Sequence, residues 1–168
     1  MTTASPSPEA TTCLIAGGGP AGVVLGLLLA RAGVRVTVME KHADFLRDFR
    51  GDTVHPSTLE LMHELGILDH FLAQPHEEVT NFTMVIGGVS LPIAQIDRVP
   101  THCKFVAVMP QWDFLNFIAA QAAKLPSFHL LMQHQAVGLI ADDRGRILGA
   151  RVETPTGQRD IRAALTVA

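Results

Sequence analysis

Residues 12–22, TCLIAGGGPAG, carry an apolar strand straight into a glycine turn, and the acid Glu40 closes the next apolar run eighteen residues after Gly22. Strand, glycine turn, helix, strand and acid in that order form the context in which G-x-G-x-x-G binds a dinucleotide. Gly17 permits the tight turn, Gly19 lets backbone approach a pyrophosphate, and Gly22 lets the helix pack close to the strand. The helix start offers free N–H groups and the positive end of its dipole to phosphate. Glu40 stands where it can accept hydrogen bonds from a ribose diol. An ordinary β-α-β unit can also carry a glycine-rich turn; the flanking strand, helix, strand and acid favour the nucleotide site.

The same segment bounds what else the chain can be. Residues 13–30 hold no charge, which is long enough for a membrane span. Glycine and Pro20 interrupt that run where a strand-turn-helix needs them, so a nucleotide site is expected and not a span. Residues 1–12 contain no Lys or Arg and so lack a signal-peptide n-region. The 168 residues, 48% of them hydrophobic, suit one sizeable core. A net charge of −3 with scattered Lys and Arg argues against a nucleic-acid surface. Cys13 and Cys103 make neither a disulfide framework nor a C-x-x-C motif, which reads as a reducing, cytoplasmic setting.

Patterning predicts an α/β fold. Residues 1–11 are expected to form a flexible tail. Strands at 13–16 and 35–39 flank a helix at 20–32. After an irregular polar stretch, 41–52, an amphipathic helix at 56–65 places Leu59, Met62 and Leu65 on one face. Ser57 and Thr58 are candidate N-caps, Gly66 ends the helix, and a short helix follows at 67–73. Three strand-like runs (79–86, 89–96 and 104–109) alternate with Gly-Gly and Pro breaks, which suggests one antiparallel sheet apart from the nucleotide fold. A helix at 111–124 turns Trp112, Leu115, Ile118 and Ala119 inward. A third parallel strand is expected at 128–132. Runs at 135–141, 147–154 and 158–162 read as a β-meander, and 164–168 as a separate apolar strand.

Three blocks together resemble the FAD-dependent aromatic hydroxylases, the single-component flavin monooxygenases of the para-hydroxybenzoate hydroxylase type. They are residues 17–40, the Arg-led segment FRGDTVHPSTLELMHELG at 49–66, and the Gln-led helix start MPQWDFL at 109–115. The resemblance implies a Rossmann-like FAD-binding fold with a β-meander, plus the start of an antiparallel substrate-domain sheet. It divides the chain into FAD-binding 12–74, substrate-domain 75–110, and a return to the FAD domain over 111–168.

The cofactor-binding set so implied is Gly17, Gly19, Pro20, Ala21, Gly22, Glu40, Lys41, Arg50 and Gln111. Arg50 would reach the FAD phosphate and ribityl region, and Gln111 the ribityl chain. NADH or NADPH would supply electrons, and an oxygen atom from dioxygen would pass to a small aromatic substrate. The family's later Asp-Gly, Arg and Gly-Asp motifs would follow residue 168, so the sequence is expected to be the N-terminal, C-terminally truncated part of a longer enzyme. The alternatives are another FAD enzyme, a reductase or halogenase, or an FAD-binding piece without chemistry of its own. No residue that reacts is singled out. His55 is closest to Arg50, and Asp52 could fix that arginine. The eight histidines show no metal-ligand spacing.

Overall fold

The computed structural model describes residues 10–46 and 53–168. In chain order the elements are β1 (Ala10–Ala16), α1 (Pro20–Arg31), β2 (Val36–Glu40), β3 (Thr53–Val54), α2 (Pro56–Glu64), α3 (Leu68–Leu72), β4 (Glu77–Val79), β5 (Asn81–Ile86) and β6 (Val89–Gln95). A 3₁₀ turn at Ile96–Arg98 precedes β7 (Val106–Val108), α4 (Gln111–Ala122), β8 (Phe128–Met132), β9 (Gln135–Ala141), β10 (Ile147–Thr154) and β11 (Gly157–Val167). They form two compact units, 10–46 with 115–168, and 53–114.

The first unit is one six-stranded sheet in the order β8-β2-β1-β11-β10-β9. Strands β8, β2, β1 and β11 run parallel, and β10 and β9 add antiparallel. All five residues of β2, Val-Thr-Val-Met-Glu, are buried, as expected for an interior parallel strand. Helix α1 buries Val23, Gly26, Leu27 and Ala30, the stripe of a 3.6-residue period. At Gly26 the helix closes on the sheet. A Cβ there would lie 2.7 Å from Val38 Cγ2 and 2.8 Å from Phe128 Cε2. The meander turns on side-chain oxygens. Asp142 Oδ1 accepts from the backbone N–H of Arg144 and Arg146 at 3.0 and 2.9 Å, and Thr154 Oγ1 donates to Gly157 O at 2.7 Å.

Several expectations are corrected. Residues 10 and 11, expected in a flexible tail, are strand. Strand β1 already pairs at Ala10 with Arg162 and at Thr11 with Ala163, and the Thr11 hydroxyl donates to Arg35 O at 2.9 Å. Residues 158–162 and 164–168 are not two strands. They belong to the eleven-residue β11, whose first half pairs with β10 and whose second half pairs with β1. Polar Arg162 and the weak strand formers Ala163 and Ala164 look like a break, but the pairing with β10 and the pairing with β1 overlap at Arg162 and carry the strand through.

In the second unit the three strand-like runs do not make one sheet. Strand β7 pairs with β3 and β4, while β5 and β6 form a separate hairpin turning at Gly87-Gly88. Thr80 divides the run at 79–86, and its carbonyl accepts from Ile96 N at 2.8 Å. Strand β3 has only two residues and gives no periodic signal. Ser57 and Thr58 lie inside the first turn of α2, because Pro56 opens the helix and His55 takes the N-cap position. Leu59, Met62 and Phe71 are buried, and Phe71 meets Phe114 edge-to-face with ring centroids 6.2 Å apart. In α4 the buried residues are Phe114, Leu115, Phe117, Ile118 and Ala122. Trp112 and Ala119, expected inward, are half-buried, because the buried face is centred on Phe114, Ile118 and Ala122 and these two lie beyond its edge.

Both cysteines are free and buried, and burial pushes their thiols up, with the carboxylates of Glu78 and Glu60 adding to the effect at Cys103. Gly26→Ala is expected to destabilise the first unit by about 1–3 kcal/mol through overpacking against Val38 and Phe128. Gly138→Ala, whose Cβ would meet nothing within 4 Å, should stay within about 0.5 kcal/mol of wild type. Urea melts of the two variants check this, and equal midpoints would remove the close approach at Gly26.

Candidate functional site

The glycine turn is held by β2. Gly17 leaves β1 at a φ of 123° and its N–H donates to Met39 O at 2.8 Å. The next N–H, that of Gly18, donates to Glu40 Oε2 at 3.1 Å. A Cβ on Gly18 would lie 2.7 Å from the Cβ of Glu40, so this position too requires glycine. Gly19 is the N-cap of α1 in extended backbone, and no side chain caps the helix. Pro20 follows at the first helical position and Ala21 after it, with no acid in the first turn. A Cβ at Gly17 or Gly19 would meet nothing within 4 Å, so space is open over the turn at both places.

Gly22 is needed for a reason the motif alone does not state. Its Cβ would fall 2.0 Å from the carbonyl oxygen of Gly17 and 3.2 Å from the carbonyl carbon, with Ile15 Cγ2 at 3.4 Å. The helix backbone therefore rests chiefly on the turn's own carbonyl. The close approach of helix to sheet expected at Gly22 belongs mostly to Gly26.

Glu40 is 9% exposed. Besides Gly18, it accepts at Oε1 from His42 N at 3.0 Å, and His42 Nδ1 lies 3.8 Å from the same oxygen. The carboxylate thus joins the turn to the chain leaving β2. Two carboxylate oxygens offer about four acceptor positions, so a ribose diol can still be received there. A cleft of about 300 Å³ opens beside it, lined by Gly17, Glu40, Lys41, His134, Gln135 and Ala136 with Ala16 and Met39.

The cleft's far wall, His134 to Ala136, was not anticipated. It is tied to the β2 exit by two backbone bonds, Gln133 N to His42 O and His134 N to Glu40 O, both 2.9 Å. The available signal was position. The ends of β8 and β2 are adjacent in the sheet, and ligands of open α/β sheets sit outside the carboxyl ends of strands.

The remaining expected residues divide as follows. Lys41 lines the cleft with Glu40. Gln111 is half-buried at the first position of α4, in the second unit. Arg50 and Asp52 lie outside the described residues. His55 is exposed just before α2. Among the described residues no group of three or more His, Cys, Asp or Glu could hold a metal. No helix among them is long and apolar enough to cross a membrane.

The family model that matches is the FAD binding domain, over residues 10–168. The chain is 29% identical over 154 residues to 6-methylpretetramide 4-monooxygenase of Streptomyces rimosus, covering 88% of this chain and 37% of that protein. It is 31% identical over 134 residues to rifampicin monooxygenase of Streptomyces venezuelae, covering 79% of this chain and 27% of that protein. Its fold is that of p-nitrophenol 4-monooxygenase from Pseudomonas putida, with a TM-score of 0.78 at 24% identity over 94% of this chain and 40% of that one. The chain thus spans between a quarter and two fifths of the length of these proteins.

Glu40→Ala removes the acceptor for two backbone N–H groups, each bound to a charged oxygen. A loss of about 1.5–3 kcal/mol is expected in nucleotide-free protein. Glu40→Gln, which keeps one acceptor oxygen, should fall between. Chemical denaturation without added nucleotide measures this, and a wild-type midpoint in Glu40→Ala would mean that the turn stands without the carboxylate.

Proposed function

This chain belongs to the FAD binding domain family, and we propose that it is the FAD-binding portion of an NAD(P)H-dependent monooxygenase acting on an aromatic or related small organic substrate. The observation that carries the cofactor reading is the α1 N-terminus, uncapped by any side chain and beside a cleft lined by Gly17 and Glu40. Such an end stabilises anionic oxygen through its free N–H groups and its dipole. The space left open over Gly17 and Gly19 suits a pyrophosphate drawn onto backbone. Pro20, Ala21 and Gly22 form the first turn beneath it. Glu40 accepts from ribose hydroxyls, and Lys41 offers a positive charge at the same rim. The donor set therefore fits a dinucleotide.

Two further residues complete the proposed site. Arg50 presents a forked, permanently charged donor to the phosphate and ribityl region. Gln111 supplies both a donor and an acceptor for ribityl hydroxyls. Bound FAD supplies the redox chemistry, which no side chain can provide, while the protein binds and orients it. Overall, an aromatic C–H, dioxygen, a reduced nicotinamide and a proton would become a phenol, water and the oxidised nicotinamide. The monooxygenase part rests on the relatives' names, and the buried, reduced cysteines agree with a cytoplasmic setting.

The full-length protein should purify yellow, and heating should release intact FAD identified by chromatography, since attachment is not covalent. A colourless protein that does not take up added FAD would sink the reading. Arg50→Ala is expected to weaken FAD binding by about ten- to a hundredfold, the loss of a hydrogen bond to a charged group. Arg50→Lys should recover only part of it, because the fork is lost. Flavin titration of both variants decides whether Arg50 belongs to the site.

A further inference from the structure

The far wall of the cleft contains a paired His134 and Arg159 that the proposed function leaves without a role. His134 Nδ1 lies 2.8 Å from Met132 O. A carbonyl only accepts, so Nδ1 carries the proton and Nε2 of the neutral ring keeps its lone pair. Arg159, on β11 opposite Val152 of β10, brings a guanidinium nitrogen to 3.4 Å from that Nε2. Its Nε is buried and finds no hydrogen-bond acceptor. No carboxylate among the described residues pairs with Arg159, whereas Arg151 and Arg146 are paired with Asp160 and Asp142.

The backbone leading to His134 is held as firmly as its ring. Gln133 adopts a left-handed φ of 57°, rare for a residue other than glycine. Its N–H and that of His134 are fixed to the carbonyls of His42 and Glu40. The imidazole is therefore set in position, tautomer and contact before any ligand arrives. His134 lines the same cleft as Glu40, to whose carbonyl its own N–H is bonded. Along a nucleotide with phosphates on the turn and ribose on Glu40, the base comes next after the ribose, which brings it to this wall.

We infer that Arg159 is a positioning residue for nucleotide binding, holding the His134 imidazole as the wall against which the adenine end of the cofactor rests. Arg159 acts through His134, not by touching the nucleotide. The inference rests on the FAD reading above and adds a determinant that the glycine motif and Glu40 do not contain.

The test is a double-mutant cycle in the full-length protein, with FAD and ADP as probes and the melting temperature of nucleotide-free protein recorded for each variant. Arg159→Met removes the donor. His134→Asn keeps a donor for Met132 O but has nothing at the Nε2 position. Each is expected to weaken both probes about tenfold, equivalent to ~1.4 kcal/mol. The double variant should be no weaker than either single one, because the two side chains form one device. Arg159→Lys, which still donates to Nε2, should recover part of the affinity, and it keeps the test open if Arg159→Met folds poorly. Additive losses, or FAD and ADP bound by the single variants as tightly as by wild type, overturn the inference while leaving the FAD reading intact. A wild-type protein that binds neither probe overturns both.

Discussion

The hydrogen bond from Gly18 N to the Glu40 carboxylate holds the nucleotide end of this molecule together. It joins the turn after β1 to the last residue of β2, beside the bond from Gly17 N to Met39 O. The turn so fixed puts the Gly17 carbonyl where only a glycine at position 22 can pass. That passage in turn sets where α1 begins. A buried acid next to the positive end of a helix is stabilised there, and it orients the free N–H groups before a ligand binds. Glu40 is thus part of the scaffold as well as a candidate ligand, and the two roles use different lone pairs of one carboxylate.

The first unit was largely legible because its signals are local and redundant. Apolar runs, the glycine turn and the Gly33 exit all agree on β-α-β, and the Asp142 and Thr154 turns announce the meander. The errors lie where tertiary pairing overrides local character. Ala10 and Thr11 look like tail, but they gain β11 as a partner. Arg162 to Ala164 look like a gap, but Arg162 pairs with both β10 and β1, and Ala163 continues the pairing with β1. The second unit was read less well for a different reason. Hairpin β5–β6 has a clear strand pattern, yet Val85 and Ile93 are 69% and 57% exposed. Alternation there does not report which side is buried, so it could not tell one sheet from two.

The candidate site was legible where a motif fixes backbone and illegible where the fold brings distant segments together. Gly17, Gly19, Gly22 and Glu40 stand within one stretch of 24 residues. Gly18 was passed over because the motif leaves that position free, though the neighbouring acid side chain forbids anything larger. His134, Gln135 and Ala136 lie almost a hundred residues further on, and nothing in their own composition marks them. Only the adjacency of β8 and β2 places them beside Glu40.

Strand β11 has a consequence for the order in which the molecule assembles. It is both the closing strand of the meander and the inner neighbour of β1, so residue 10 must find residue 162. During synthesis β1 can gain β2 early, but its other edge stays unsatisfied until residues 162–167 have emerged. The meander, by contrast, is made of short-range hairpin contacts that close quickly. Closing the long loop is then the slow step, and an apolar first strand with one open edge waits for it. The strand that closes this sheet on β1 emerges long after the strand it pairs with, which places a period of aggregation risk before the sheet is closed.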